Sequence, residues 1–206
     1  MRRLFITIIL LTVALASTAF ADEQIERLSQ ARETVKAYCL NEFSGNDPET
    51  RERLIKFSPK FEGQFKKEKH KWIAKYVESP QEVVVNAYEI KSVNALGNQA
   101  TAIVIFKRLA RTEKTASSIY VAEPPHDEAV NLNLVFEKNQ WWVLDPPPPR
   151  ISKEVLIEYY QYQVKEDSAM WEQKLNDPTY NEKQKANVRA NRDQATGTLR
   201  ILKSLP

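Results

Sequence analysis

The sequence predicts an α+β protein in which N-terminal helices pack on an antiparallel sheet and a helical hairpin follows. Three observations carry that reading. Apolar residues recur every three or four positions in the first third of the chain, then alternate from Glu82 onward. The stretch NQWWVLDPPPPR, residues 139–150, runs an aromatic strand straight into four prolines. Beyond it the helical period returns and continues almost to Pro206.

Each element has a local reason. Ile25, Leu28, Ala31, Val35, Tyr38 and Cys39 form one apolar stripe of a first helix, with Glu, Arg and Lys between them. SGND (44–47) ends it, and Asp47 is placed to cap a second helix with Pro48 at its first position and Glu49 in its first turn. Leu54, Ile55 and Phe57 give that helix a buried face before Pro59 stops it. A third helical stretch, Phe61 to Val77, mixes Phe61, Phe65, Trp72 and Tyr76 with KKEKHK at 66–71, a run read as a solvated face. EVVVNAYEIKSV (82–93) then reads as a strand, and ALGNQ turns it into ATAIVIFKRLA (100–110). In AVNLNLVFEK (129–138), Val130, Leu132, Leu134 and Phe136 face one side, and Asn131, Asn133 and Glu137 face the other. The intervening TEKTASSIYVAEPPHDE is expected to extend the pairing and finish in an exposed loop broken by prolines. KNQ turns tightly into WWVLD, where Trp142, sharing a face with Leu144, is expected in the core and Trp141 outside.

The four prolines answer to mechanics. Proline lacks an N–H and fixes φ, so the strand must stop at Asp145. Residues 146–150 are expected to form an extended spacer of roughly 3.1 Å per residue, about 12 Å for the prolines, carrying the chain off the sheet edge to a helix cap at Ser152. PPPPR also matches a ligand of SH3-type domains, but those are mainly cytosolic. From 151 to 206 two helices are expected, broken at NDP (176–178). Ile151, Val155, Tyr159, Tyr162 and Ala169 form one stripe, widened by Leu156, Tyr160, Val164 and Trp171, and Val188, Ala195, Leu199 and Leu202 mark the last helix. So many large apolar groups require burial, and at about 1.5–3 kcal/mol each they outweigh any preference set by a stiff linker. The tail is therefore expected to lie against the domain, with outer aromatics left for a partner.

Compartment follows from residues 1–21. Arg2 and Arg3 start the chain, Leu4 to Ala16 are an apolar run, and Ala19-Phe20-Ala21 places small residues before a cleavage point at Asp22. This is the pattern of a secretory signal peptide, and it predicts a periplasmic or secreted bacterial protein with no membrane anchor after cleavage. Arg2 and Arg3 leave with the leader, so 30 Lys+Arg become 28 against 27 Asp+Glu, which gives no electrostatic case for nucleic acid. The single cysteine, Cys39, cannot form an internal disulfide. The divisions expected are 1–21 signal peptide, 22–145 α+β domain, 146–150 spacer and 151–206 helical extension.

Helices followed by a long antiparallel sheet, closed by a hairpin such as EKNQWWVLD (137–145) with its Trp142 and Leu144, resemble the NTF2-like superfamily over roughly residues 23–145. That group includes nuclear transport factor 2, ketosteroid isomerase and SnoaL-like cyclases. The resemblance implies a curved sheet wrapped around the first helix as a cone whose mouth can hold an apolar ligand, with Tyr38, Tyr88 and Trp142 as pocket candidates. The helical tail and the proline run depart from the minimal family pattern.

Ketosteroid-isomerase-like members pair a tyrosine on an early helix with acidic residues. Here the strands 82–110 and 129–138 contain no aspartate, Glu82, Glu89 and Glu137 sit at ends or among polar positions, and the prolines place Asp145 at a rim. No tuned acid can be assembled from these, so no catalytic residue is assigned. His70 and His126 have no paired ligand at a useful spacing, which excludes an evident metal site. Cys39 lies on an apolar stripe as a buried thiol, and four glycines supply no phosphate loop. No cofactor is expected. The reading that remains is an exported non-enzymatic binding module engaging a periplasmic protein partner or a small apolar ligand. Tyr159, Tyr160, Tyr162 and Trp171 are its partner-surface candidates, and a homodimer stays open. The alternative is a SnoaL-like lyase or isomerase acting on a small hydrophobic substrate in the cone.

Overall fold

The computed structural model describes residues 2–45, 47–59, 83–114 and 118–206. The expected third helix, Phe61–Val77, with the KKEKHK run and His70, lies outside them. The described elements are helix α1 (Arg2–Phe43), helix α2 (Pro48–Leu54), strands β1 (Ile55–Lys56), β2 (Val83–Leu96), β3 (Gln99–Lys114), β4 (Ser118–Glu137), β5 (Gln140–Leu144) and β6 (Arg150–Ser152), and helices α3 (Lys153–Asn176) and α4 (Glu182–Ser204). The strands form one curled, half-barrel sheet in the order β1-β5-β4-β3-β2-β6. The architecture is mixed α+β.

The long strands owe their pairing to tight turns and their bending to bulges. Gly97, at φ 59°, occupies the β2–β3 turn, where a side chain would be strained. Register shifts interrupt β2–β3 at three places and β3–β4 between Arg108 and Ala110. At the latter, Arg108 pairs His126 and Ala110 pairs Ala122, so Glu123, Pro124 and Pro125 oppose Leu109 alone. The prolines expected to break a loop instead sit in a bulge within a 20-residue strand, where a missing N–H interrupts no ladder.

The inner face of the sheet packs on α1. Ala31, Val35, Tyr38 and Cys39 meet Val83, Val85, Ala102, Val104, Phe106 and Leu132 in one core. Asp47 caps α2 by accepting from the Thr50 amide at 2.9 Å. Ile55 and Phe57, expected on the face of that helix, leave it. The helix stops at Leu54, and Ile55 pairs with Val143 in a parallel β1–β5 ladder, its β-branched side chain buried at the sheet edge.

The β4–β5 turn corrects the expected assignment of the tryptophans. Lys138 and Asn139 both have positive φ (52° and 62°), the geometry of a two-residue primed turn, so Glu137 pairs Gln140 and Phe136 pairs Trp141. Cross-strand partners share a face. Trp141 therefore joins Phe136 and Leu134 inside, 1 % exposed, with its ring 5.3 Å from that of Phe136. Trp142 faces the other way, half-buried, and donates its Nε1–H to the Glu137 carbonyl at 3.3 Å.

The proline run does not lead the chain away from the sheet. It crosses from β5 at one side to β6 at the other, where Arg150 to Ser152 pair in parallel with Val83 to Val85. Arg150 thus belongs to a strand rather than to a spacer. Ser152 ends β6 and caps α3, its hydroxyl accepting from the Val155 amide at 3.2 Å. Asn181 and Gln184 cap α4 reciprocally, both bonds at 2.9 Å. On the outer face of the sheet, Val84, Leu109, Ala110 and Tyr120 meet Ile151, Leu156, Leu202 and Leu205 in a second core.

Chemical denaturation tests the register of β5. Trp141→Ala should cost about 3–5 kcal/mol, the range for emptying a buried tryptophan site, and Trp142→Ala markedly less. Equal losses would mean that both rings share the burial.

Candidate functional site

The chemistry-bearing side chains gather at the C-terminal end of α1. Val35, Tyr38, Cys39 and Glu42 follow one another at helical spacing, so the stripe that buries the first three also buries Glu42, which is 1 % exposed. Its Oε1 pairs with the Arg51 guanidinium of α2, itself buried, and its Oε2 accepts from the Arg150 backbone N–H at 3.2 Å. The Tyr38 hydroxyl also hydrogen-bonds it. One carboxylate therefore ties α1, α2 and β6 together.

A second anchor extends across the sheet. Glu128, Phe106 and Tyr88 are register partners on neighbouring strands β4, β3 and β2. The Arg150 guanidinium lies over the Phe106 ring at 5.3 Å and reaches Glu128, with Nη2 to Oε1 at 3.0 Å and Nε to Oε2 at 3.2 Å. Its Nη1 donates to the Pro148 carbonyl at 2.7 Å. Arg108 continues the chain of charge, 3.4 Å from Glu128 and 2.6 Å from Glu123.

Burial dominates the titration here. It pushes the Glu42 carboxyl up from its ordinary 4.5 to about 7, against the pull of Arg51 and of the Arg150 amide. It likewise raises the Cys39 thiol to about 12, with the Glu42 charge adding to the effect. The thiol stays protonated and is a packing group.

Of the sequence-chosen residues, the structure brings Tyr38 and Tyr88 to this region. Tyr38 is fully buried on Glu42, and half-buried Tyr88 stacks edge-on against Phe43 at 5.3 Å and lies 6.0 Å from Phe106. Trp142 is on the opposite face and cannot line the same space. The tail aromatics divide. Trp171 is buried, Tyr160 packs between Tyr120 and Tyr159 at 6.2 and 5.2 Å, and Tyr159 and Tyr162 stay 58 % and 68 % exposed. Asp145, at the end of β5, accepts from the Ser58 amide at 2.7 Å and fastens the segment after β1. His126 lies in the β4 bulge with Nδ1 2.9 Å from the Pro124 carbonyl. Among the described residues, no three metal-ligating side chains converge.

Sequence reasoning missed Glu42, Arg51, Glu128 and Arg150. For Glu42 a signal existed: it stands four residues after Tyr38 and seven after Val35, on the same stripe. Arg51 reads as a surface residue of a charged helix, and Arg150 was absorbed into the proline spacer.

Two measurements test this centre. Glu42 holds a proton in the native state between 4.5 and about 7 that the unfolded chain has released, so its linked stability is full below 4.5 and lost as pH rises through about 7. The melting temperature should accordingly decline from pH 5 to 8. In Arg51→Met, which removes the counter-charge, it should fall further above pH 7 than below pH 5; parallel profiles would remove Glu42 from the account. The Cys39 thiol should resist a disulfide reagent such as dithionitrobenzoate in the native protein at pH 8 and react on unfolding. Rapid labelling of folded protein would contradict its burial.

No protein-family model matches the chain, and no curated protein does. A crystal structure described as an NTF2-like transpeptidase from Campylobacter jejuni is similar to it over 56 % of this chain and 98 % of that one, with 16 % identity and a TM-score of 0.32. An overlap this loose transfers no activity.

Proposed function

We propose that this chain is an exported, non-catalytic binding module of NTF2-like construction, with the helical hairpin as its recognition element. The element order and the curling of the sheet around α1 support the architecture, and residues 1–21 support export. The observation that carries the functional reading is the commitment of the buried groups. Both oxygens of Glu42 are engaged by separate chain segments, and the neighbouring thiol is held protonated. Groups spent in this way join elements rather than turn over a substrate. Exposed aromatic surface lies instead on α3, where Tyr159 and Tyr162 face outward.

A second reading has one observation in its favour. A carboxyl raised to about 7 beside a tyrosine hydroxyl is the pairing a SnoaL-like lyase or isomerase would use on a small hydrophobic substrate. The engagement of Glu42 by Arg51 and Arg150 weighs against it, because moving a proton through that carboxyl would disturb the joint it forms.

Site-specific photo-crosslinking discriminates the readings. With benzoylphenylalanine in place of Tyr162, irradiation of the expressing cells should give one adduct of defined mass. The same probe in place of Leu96, which is even more exposed, at the tip of the β2–β3 hairpin, should give none. Matching adduct patterns at the two positions would overturn the hairpin as the recognition element.

A further inference from the structure

Between α3 and α4 lies a cavity of about 310 Å³, near the lower end of the range for small-ligand sites. Two kinds of side chain give it chemical character. Tyr159, Tyr160 and Trp171 supply aromatic surface, with the Tyr159 and Tyr160 rings nearly perpendicular at 85° and 5.2 Å apart. Asp167, half-buried, supplies the single charge, and among the described residues no basic side chain pairs with it or lines the cavity. Lys174 rests its ammonium 3.4 Å from the Met170 sulfur at the rim but is not part of the lining.

Periodicity and capping put these groups together. Tyr160, Gln163, Asp167 and Trp171 recur at three and four residues, so they share the face of α3 that looks at α4. Opposite them stands Ala195, whose small side chain leaves the space that a larger residue would fill. Tyr160 is fixed from behind by its edge-on contact with Tyr120 of β4, so the aromatic wall is anchored on the sheet. Tyr160 is therefore held in place before any ligand arrives.

Aromatic faces carry a negative quadrupole, and a lone carboxylate beside them adds full negative charge. Together they attract a cation that is weakly hydrated and can shed water cheaply, which describes an alkylated ammonium better than a metal ion. We infer that the α3–α4 cavity is a binding site for a small organic cation, an ammonium head on a short apolar stem, held between Tyr159, Tyr160 and Trp171 and neutralised by Asp167. This rests on the reading of the hairpin as the recognition element and names the chemistry it recognises. Tyr162 lies outside the cavity, so the crosslinking outcome and the cation outcome can fail separately.

The experiment is calorimetric titration of the purified protein with choline, with n-butylammonium, and with 3,3-dimethylbutanol, which matches choline in shape but is uncharged. At least one of the two cations should bind saturably, and the uncharged alcohol at least tenfold more weakly. Which cation binds better assigns the head group as quaternary or primary. Asp167→Asn and Tyr159→Ala should each weaken cation binding about tenfold or more with the melting temperature unchanged, because Tyr159 is largely exposed and Asp167 has no ion pair among the described residues to lose. Failure of both cations to saturate, equal affinity for the neutral alcohol, or undiminished binding by Asp167→Asn would overturn the assignment.

Discussion

The fold depends on one residue that ties an edge of the sheet to its middle and to α1. After β5 the chain stands on the β1 side of a curled six-stranded sheet, and it must reach the β2 side to form β6. Four prolines make that crossing stiff, but stiffness alone would not hold its far end. Arg150 holds it in three ways. It takes its place in the ladder beside Val83, donates its backbone N–H to Glu42, and sends its guanidinium over Phe106 to Glu128 two strands beyond β2. Without that residue the end of α1, the β6 edge and the middle of β4 would lose their common attachment.

The same crossing makes the helical extension part of the domain. Val84 and Val85 are adjacent in β2 and point to opposite faces, so one belongs to the core under α1 and the other to the core under the hairpin. Ser152 ends β6 and begins α3 with no intervening linker, and this sets Leu156 directly over the outer face. The return helix then brings Leu202 and Leu205 to the same patch. Each such side chain contributes about 1.5–3 kcal/mol on burial, enough together to fix the hairpin against the sheet. Gly45 is required for a related reason. With φ at 113° it follows α1 in a conformation that strains any side chain, and a Cβ there would also crowd Val155 at 3.1 Å.

What the sequence made legible follows its local signals. The change of period located the long strands, Asp47 and Ser152 were recognisable as caps, and ALGNQ was recognisable as a turn. Trp141 was legible too but was read one residue out of register. Once Lys138 and Asn139 are recognised as a two-residue turn, Phe136 must oppose Trp141, and the alternation that places Phe136 inward carries Trp141 with it. β1 and β6 were not legible for a different reason. Two- and three-residue strands have no period, and they exist only because long neighbours offer them an edge. The charged centre was hidden for that reason as well: Glu42, Arg51, Glu128 and Arg150 come from four elements, and no spacing in the chain connects them.

The physical division of labour follows from where charge has been buried. Moving an ion pair out of water costs several kcal/mol, and the pair is kept only where geometry and further hydrogen bonds compensate. Around Glu42 that compensation engages both carboxylate oxygens, through Arg51 and the Arg150 amide. Asp167 shows the opposite condition. It is half-buried, lacks a counter-charge among the described residues and stands beside Tyr160, whose ring packs on Tyr120 of the sheet. A carboxylate in that state is stabilised by a cation that arrives beside it. The core holds the shape, and the cavity on the hairpin is where the proposed recognition would gain its free energy.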